Sequence, residues 1–470
     1  MIRSLLLTFG YLSFFAAGFN APFALTLGYV WVDGANPQAL SYGSGLLPML
    51  PISMIIGACA IGFYVLMDRR YPPPFNLGIG IIVLFAVWAT IVTCFAEVPA
   101  QAWIKWNVAI KTLLFSAFLP FVIRSRIQIE AFLLIFVLST AVFFMPVGAK
   151  TMISGGGYGR TLAVVSENTG LAEGATLATV SLLLLPVMAW LTSHSLLLAP
   201  RSPRKLGFAV LGLLAVAASI GTYERTALIG LGTVGTMMWL RSRRKLLSGF
   251  VMLLILAGIV ATASSSWVER ISTVKSYDQE SSALGRILVW RWTMDYVAQH
   301  PLGGGFNVFY INHIIFPDGQ EVFGKAFHSI YFEVLGELGI PGILMFGGLL
   351  LWTLFGLQRV AKQTRERPGL GWIRDLAYAL QAALLTLMTC GMFIGIAFQP
   401  FIYYIVAVSI SLMAYVQRTE QPSRTTDLPH RVPSAAHRLA RPASSLAPVG
   451  SMTVSAGSRG AAYEWPIERP

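Results

Sequence analysis

Residues 249–263 read GFVMLLILAGIVATA and residues 340–357 read IPGILMFGGLLLWTLFGL, two strongly apolar segments that suit membrane spans. A long polar and aromatic segment, Trp267–Gly339, separates them. This segment contains HPLGGGF at 300–306 and HSIYFEVLGELG at 328–339. Because binding and catalytic groups concentrate in loops that a rigid scaffold holds, we expect the chemistry of this protein in that segment.

The composition is that of a membrane protein. The chain is 55% hydrophobic and only 12% charged, about half the charged fraction of a soluble domain. Apolar windows of about 20 residues recur along it, each long enough to cross a bilayer. We therefore predict an all-α, polytopic transmembrane helical bundle of about 12 spans, or about 13 if residues 4–32 cross twice. One large extracytoplasmic loop with amphipathic helices would interrupt it.

Basic residues occupy every second loop. They lie at 69–70, 124–126, 201–205, 241–245 and 359–374, and cytoplasmic loops carry such an excess. The pattern predicts a cytoplasmic membrane protein with both termini in the cytoplasm, and it explains the net charge of +13 without nucleic acid. The three cysteines lie in apolar spans, which indicates neither a disulfide framework nor a metal site.

Four segments follow from this pattern. We predict N-terminal transmembrane helices over 1–264 and a large extracytoplasmic loop, with the start of the next helix, over 265–339. C-terminal transmembrane helices would cover 340–416. Residues 417–470 are rich in Pro, Ser, Arg and Ala, which is typical of a disordered tail.

Several cations fall outside the cytoplasmic loops. Arg225 lies in a short turn between two apolar segments, where an ionisable group is costly and is a functional candidate. Guanidinium groups bind phosphate oxygens bidentately, so these cations suggest an anionic ligand such as a lipid-linked diphosphate. Ordinary solvated charge is the alternative, and it is our interpretation of Lys325. The candidates are Lys111, Arg160, Arg225, Arg286 and Arg291.

His328 opens a predicted helix. A helix N-terminus disfavours the imidazolium and keeps the ring neutral, so that it can accept a proton. The alternative is a structural histidine at the membrane interface. Glu333 and Glu337 lie further along the same helix and would either orient a partner or cap its polar end.

The segment before His328 combines an amphipathic helix with glycines. Residues 282–296 place Leu284, Leu288 and Trp292 on one face. Gly303–Gly305 follow, and they suit a tight turn better than a phosphate nest. The sequence has no Walker motif and no Asp-x-Asp signature, which argues against ATP and against a nucleotide-sugar donor.

These motifs resemble the O-antigen ligase and O-antigen polymerase superfamily. The resemblance rests on Gly285-Arg286, the PLGGGF run at 301–306 and the HSIY run at 328–331. The full run HSIYFEVLGELG is most similar to the O-glycosylation ligase branch that is associated with exosortase systems. The chain departs from the family at Glu224, where a serine is usual.

The resemblance implies a bacterial inner-membrane glycosyltransferase with a periplasmic active site. It would move a glycan from undecaprenyl diphosphate to a lipid, glycan or protein acceptor, with no metal or other cofactor. His328 would be the catalytic base, and Arg225 and Arg286 would bind the diphosphate with help from Arg160, Arg291 and Lys111. Glu333, Gly304 and Gly305 would support the site.

Two alternatives remain open from the sequence. A repeat-unit polymerase of the same superfamily would use another lipid-linked glycan as acceptor. A transporter of lipid-linked sugar is the rival from another class, but transporters often contain internal repeats and place charges at mid-membrane. No clear repeat is visible here, and the notable charges gather on one side.

Overall fold

The computed structural model describes residues 2–37, 51–67, 76–154, 171, 173–198, 201–242, 244–262 and 281–420. The prediction of an all-α polytopic membrane protein is confirmed. Arg160 and the predicted tail beyond Glu420 lie outside the described residues.

The described part of the chain consists almost entirely of α-helices. They are α1 Ile2–Asn20, α2 Phe23–Ala35, α3 Ile52–Met67, α4 Leu77–Cys94, α5 Pro99–Val122, α6 Arg126–Ser154, α7 Gly174–Leu183, α8 Leu185–His194, α9 Arg201–Gly221, α10 Arg225–Arg241, α11 Lys245–Thr262, α12 Ser281–Gln299, α13 Ile330–Gln363, α14 Gly371–Cys390 and α15 Pro400–Glu420. Short 3-10 helices cover Val308–Ile311 and Gly391–Phe393.

Seven helical segments in the described ranges are long and apolar enough to span a membrane. Two of them, Gly174–His194 and Pro400–Thr419, are 89% and 83% buried over their most apolar windows. Because other helices cover them on most sides, they form the centre of the bundle. The shorter helix Ile52–Met67 is also apolar, and the exact number of crossings stays a prediction.

One end of the bundle gathers the basic loops, and we call it the basic end. Arg418 donates a hydrogen bond to the carbonyl of Arg124 at 2.9 Å, which joins the end of α15 to the end of α5. Arg126 donates to the carbonyl of His194, also at 2.9 Å. The segments that follow α5 and α8 therefore lie together with the last turn of α15.

The opposite end gathers the acidic and glycine-rich loops, and we call it the His328 end. The amide of Glu97, between α4 and α5, donates to the carbonyl of Gly304 at 2.9 Å. The amide of Ala397, between α14 and α15, donates to Glu333 at 3.0 Å. These contacts bring three connections that are distant in sequence to one place.

Residues 4–32 form two antiparallel helices and not one long helix. The Tyr11 and Trp31 rings lie 5.5 Å apart on either side of the turn between α1 and α2. Phe19, beside the turn, lies 5.2 Å from Phe63 near the basic end of α3. The start of α1 therefore points toward the His328 end.

The described part of the polar segment, residues 281–339, folds as a small unit on the His328 end. Helix α12 matches the predicted amphipathic helix, and Leu284, Leu288 and Trp292 pack against a separate small core. Residues His313–Ile315 (β1) and Glu321–Phe323 (β2) form an antiparallel hairpin. The members of this small core are Val289, Val308, Ile314, Phe316 and Phe327.

Helix α13 bends sharply at Gly339, where φ is +67° and ψ is −164°. The bend lies two residues before Pro341 and divides α13 into a short outer part and a longer inner part. A residue with a β-carbon rarely adopts this φ, so glycine allows the outer part to carry His328 away from the axis of the span.

Candidate functional site

His328 lies in the connection between β2 and α13, immediately before the helix begins. Its φ is +50°, a left-handed conformation that is uncommon for a residue other than glycine. Trp290 of α12 holds this connection, because its indole N–H donates to the carbonyl of Phe327 at 2.9 Å. The same ring stacks on Phe332 with a centroid distance of 4.9 Å. The position of His328 is thus fixed from both sides.

The charge state of His328 follows from its surroundings. Burial lowers the pKa of the imidazole, and the neighbouring cations Arg286 and Lys325 lower this pKa further. Glu333 acts in the opposite direction but does not reverse the shift. The ring is therefore neutral near pH 7 and can accept a proton, as the helix-start position had suggested.

Helix α12 brings Arg286 to the same place. Arg286 lies one turn into the helix, is half-buried and acts electrostatically on His328. The residue before it, Gly285, is buried with Lys325 lying over it. Two cations and a neutral histidine therefore share the His328 end, an arrangement that suits an anionic ligand and a proton transfer.

Glu333 and Glu337 bind one lysine of another helix. The Nζ atom of Lys105 in α5 lies 2.7 Å from a carboxylate oxygen of Glu333 and 2.7 Å from one of Glu337. Glu337 also accepts the amide N–H of Asn307 at 2.9 Å. We call Lys105, Glu333, Glu337 and the Asn307 amide the Lys105 network. It joins α5 and the segment after the glycines to the outer part of α13, which begins just after His328.

The three glycines form a turn that packs on the bend of α13. The amide of Gly304 donates to the carbonyl of Gly336 at 3.1 Å, and the amide of Gly305 donates to that of Glu337 at 2.9 Å. Because these N–H groups already have carbonyl partners, they do not form a phosphate nest. Gly304 and Gly305 instead connect the loop to the helix that carries Glu333 and Glu337.

Arg225 begins α10, close to the His328 end. The carbonyl of its neighbour Thr226 lies 3.7 Å from Cys390 Sγ, and Gly391 packs on Ile330, two residues after His328. The side chain of Glu224 lies against Gly174 at the start of α7. The end of α14 therefore contacts both the Arg225 turn and the start of α13. Arg225 itself is not among the groups that act on His328.

Two other candidates lie on different surfaces. Arg291 is exposed, and five residues of helix turn it about 140° away from Arg286. Lys111 is exposed on α5, about 120° around the helix from the inward-facing Lys105. Neither is among the groups that act on His328. Arg160 lies outside the described residues.

Sequence reasoning missed two functional candidates at this site. Lys105 was not among the candidate cations, although two glutamates four residues apart on one helix face call for a cationic partner. Lys325 was interpreted as a solvated loop charge, and its proximity to His328 depends on a hairpin of distant residues.

Among the described residues, no group of three or more His, Cys, Asp or Glu side chains is placed to bind a metal ion.

Comparison with known families matches two parts of the chain. Residues 208–347 match the family described as O-Antigen ligase, and residues 2–196 match a family of unknown function, DUF5935. No curated protein matches the chain. The first match includes Arg225, Arg286 and His328, so the resemblance to the O-antigen ligase superfamily is confirmed. The exosortase-associated branch stays a prediction.

Proposed function

Because residues 208–347 form a domain of the O-antigen ligase superfamily, we propose that this ligase-like membrane enzyme is a metal-independent glycosyltransferase. It transfers a glycan from an undecaprenyl diphosphate carrier to an acceptor at the periplasmic face of the bacterial inner membrane. The acceptor is a lipid, a protein or another glycan. The observation that carries the proposal is a neutral, rigidly held His328 beside Arg286.

His328 acts as the general base. Its ring nitrogen takes the proton of an acceptor hydroxyl while the hydroxyl oxygen forms a bond to the anomeric carbon of the glycan. The bond between that carbon and the phosphate oxygen breaks, and undecaprenyl diphosphate leaves with the electron pair. A positioned base of this kind accelerates a reaction by roughly 10²–10⁴.

Arg286 and Arg225 hold the leaving diphosphate. Negative charge grows on the phosphate oxygens as the bond breaks, and fixed cations stabilise that charge without reorganising. The position of Arg286 beside His328 and of Arg225 near Cys390 supports these roles. Arg160, Arg291 and Lys111 are weaker helpers in this proposal, and the exposed positions of the last two suit first contact with the donor.

Purified enzyme with a lipid-linked donor and an acceptor tests the proposal. The variants His328→Gln and Arg286→Ala should lose most of their turnover and still insert in the membrane at normal levels. His313 is the matched control, since it is exposed and pairs with Glu321 at 2.9 Å, so His313→Gln should keep full activity. Near-normal turnover of His328→Gln would contradict the assignment of the base. Product length separates a single transfer from repeat-unit polymerisation.

A further inference from the structure

Lys325 differs from a solvated loop lysine in how its backbone is held. The side-chain amide of Asn312, which is fully buried, binds both of its backbone groups. The N–H of Lys325 donates to Asn312 Oδ1 at 2.9 Å, and Asn312 Nδ2 donates to the Lys325 carbonyl at 2.7 Å. Such a pair of hydrogen bonds fixes the direction in which the side chain leaves the loop.

The side chain of Lys325 is also confined. A β-carbon on Gly285 would lie 2.3 Å from Lys325 Cε and 2.7 Å from Nζ, so the lysine occupies the space that the glycine leaves open. Its ammonium lies 5.5 Å from the centre of the Phe316 ring, within the range of a cation–π contact. The charge is thereby placed directly beside the residue that precedes Arg286.

This placement brings like charges together. Lys325 and Arg286 both act on His328 as cations, and none of the described carboxylates lies within ion-pair distance of Lys325. The hydroxyl of Ser329, next to His328, is fully buried and has no hydrogen-bond partner within the described part of the chain. A partly buried lysine that pairs with none of the described carboxylates suits an anion from outside the protein.

We propose that Lys325 is a further cationic residue of the diphosphate site, with its ammonium binding one phosphate group while Arg286 binds the other. The inference rests on the proposed function and extends it from two arginines to a third cation. Lysine is a compact point charge, whereas arginine binds two oxygens in a fixed plane. The pair therefore matches a ligand with two linked phosphates better than one with a single phosphate.

Binding measurements on the full chain in zwitterionic nanodiscs test this inference. The probes are undecaprenyl diphosphate, undecaprenyl monophosphate and inorganic pyrophosphate. A hydrogen bond between charged groups is worth about 1.5–3 kcal/mol, so Lys325→Ala should weaken undecaprenyl diphosphate binding roughly 10–100-fold. Pyrophosphate binding should weaken in parallel, and the monophosphate should lose less. Lys325→Arg should retain most of the affinity.

A second variant tests the placement of the ammonium. Gly285→Ala keeps Lys325 but displaces its flexible end, so it should weaken diphosphate binding in the same direction. Adding Lys325→Ala to Gly285→Ala should cause little further loss, because both changes remove one interaction. Gly347→Ala, where a β-carbon meets no atom within 4 Å, and Lys362→Ala, an exposed lysine at the basic end, are the matched controls.

The experiment distinguishes failure of the Lys325 assignment from failure of the diphosphate site itself. Wild-type affinity of Lys325→Ala for undecaprenyl diphosphate, together with a loss in Arg286→Ala, would overturn the role of Lys325 alone. Wild-type affinity in both variants would overturn the diphosphate site itself. A loss that appears only with nanodiscs of anionic phospholipid would show that Lys325 binds membrane headgroups, and it would also overturn the inference. Thermal unfolding of each variant confirms that it is folded.

Discussion

At the residue scale, the cations around His328 determine the pH range in which it can act as a base. Burial, Arg286 and Lys325 hold its pKa below the ordinary value, which is about 6.5 for histidine. The free enzyme therefore keeps its base deprotonated at a pH where an ordinary histidine would be half protonated. We predict that kcat/KM stays level as the pH falls through about 6.5 and declines only at lower pH.

The same electrostatic interactions predict how the pH dependence of kcat/KM changes when Lys325 is replaced. Lys325→Ala removes one of the cations that lower the His328 pKa, so the decline of kcat/KM should move to higher pH. Lys325→Arg keeps the charge and should keep the wild-type profile. A pH–rate series in the wild type and both variants checks this, and an unchanged profile in Lys325→Ala would show that the two residues do not interact.

At the scale of the secondary-structure elements, the Lys105 network joins α5 to the outer part of α13. Lys105→Ala would leave two enclosed carboxylates without their cation, and breaking a buried ion pair in this way costs about 3–5 kcal/mol. We predict a marked drop in thermal unfolding temperature and a loss of transfer activity. Adding Glu337→Gln should restore part of the stability, because it removes one of the uncompensated charges.

The control for the Lys105 network is another lysine of a membrane helix. Lys362→Ala changes an exposed side chain in the last turn of α13, and its effect should stay within about 0.5 kcal/mol. If Lys105→Ala unfolds at the wild-type temperature in the same detergent, the network does not hold α13 in place.

The bend of α13 gives a prediction at the same scale. A β-carbon on Gly339 would lie 2.3 Å from the Pro301 carbonyl oxygen, and φ is +67°. Gly339→Ala should therefore destabilise the protein by more than about 1 kcal/mol and move His328 relative to Arg286. Gly347→Ala in the same helix has open space around it and should be neutral or slightly stabilising. Thermal unfolding and transfer assays of the two variants make the comparison.

Much of this element structure could be predicted from the sequence. Hydrophobic length gave the spans, and the amphipathic period gave α12, because both depend on neighbours along the chain. Local sequence also placed His328 and Arg286 in one segment. The Lys105 network could not be predicted in the same way, since it joins residues that are 228 and 232 positions apart. Its formation depends on how α5 packs on α13.

At the scale of the whole molecule, the bundle has two chemically different ends. Arginine side chains bind backbone carbonyls at the basic end, as Arg126 and Arg418 do. His328, Arg286 and the Lys105 network lie at the other end. Since cytoplasmic loops are enriched in basic residues, we predict that the candidate site lies on the periplasmic side. The sequence predicted the grouping of loops, but it left open whether residues 4–32 cross once or twice.

Cysteine labelling of cells tests that orientation. In a background with Cys59, Cys94 and Cys390 replaced, a membrane-impermeant maleimide should modify Gln320→Cys in spheroplasts, because Gln320 is exposed in the loop that carries the site. It should modify Arg365→Cys, exposed between α13 and α14, only after the membrane is permeabilised. The reverse result would place the site in the cytoplasm, where this reaction would need a different donor.

An epitope tag before Met1 extends the same experiment to the N-terminus. Helices α1 and α2 form a hairpin whose turn packs on Phe63 toward the basic end. If both helices cross the membrane, the tag before Met1 lies on the same side of the membrane as Gln320. An impermeant protease should then remove the tag from intact spheroplasts while a tag after Pro470 stays protected. Protection of both tags would show that the hairpin does not cross twice and would restore the cytoplasmic N-terminus that the basic loops alone predict.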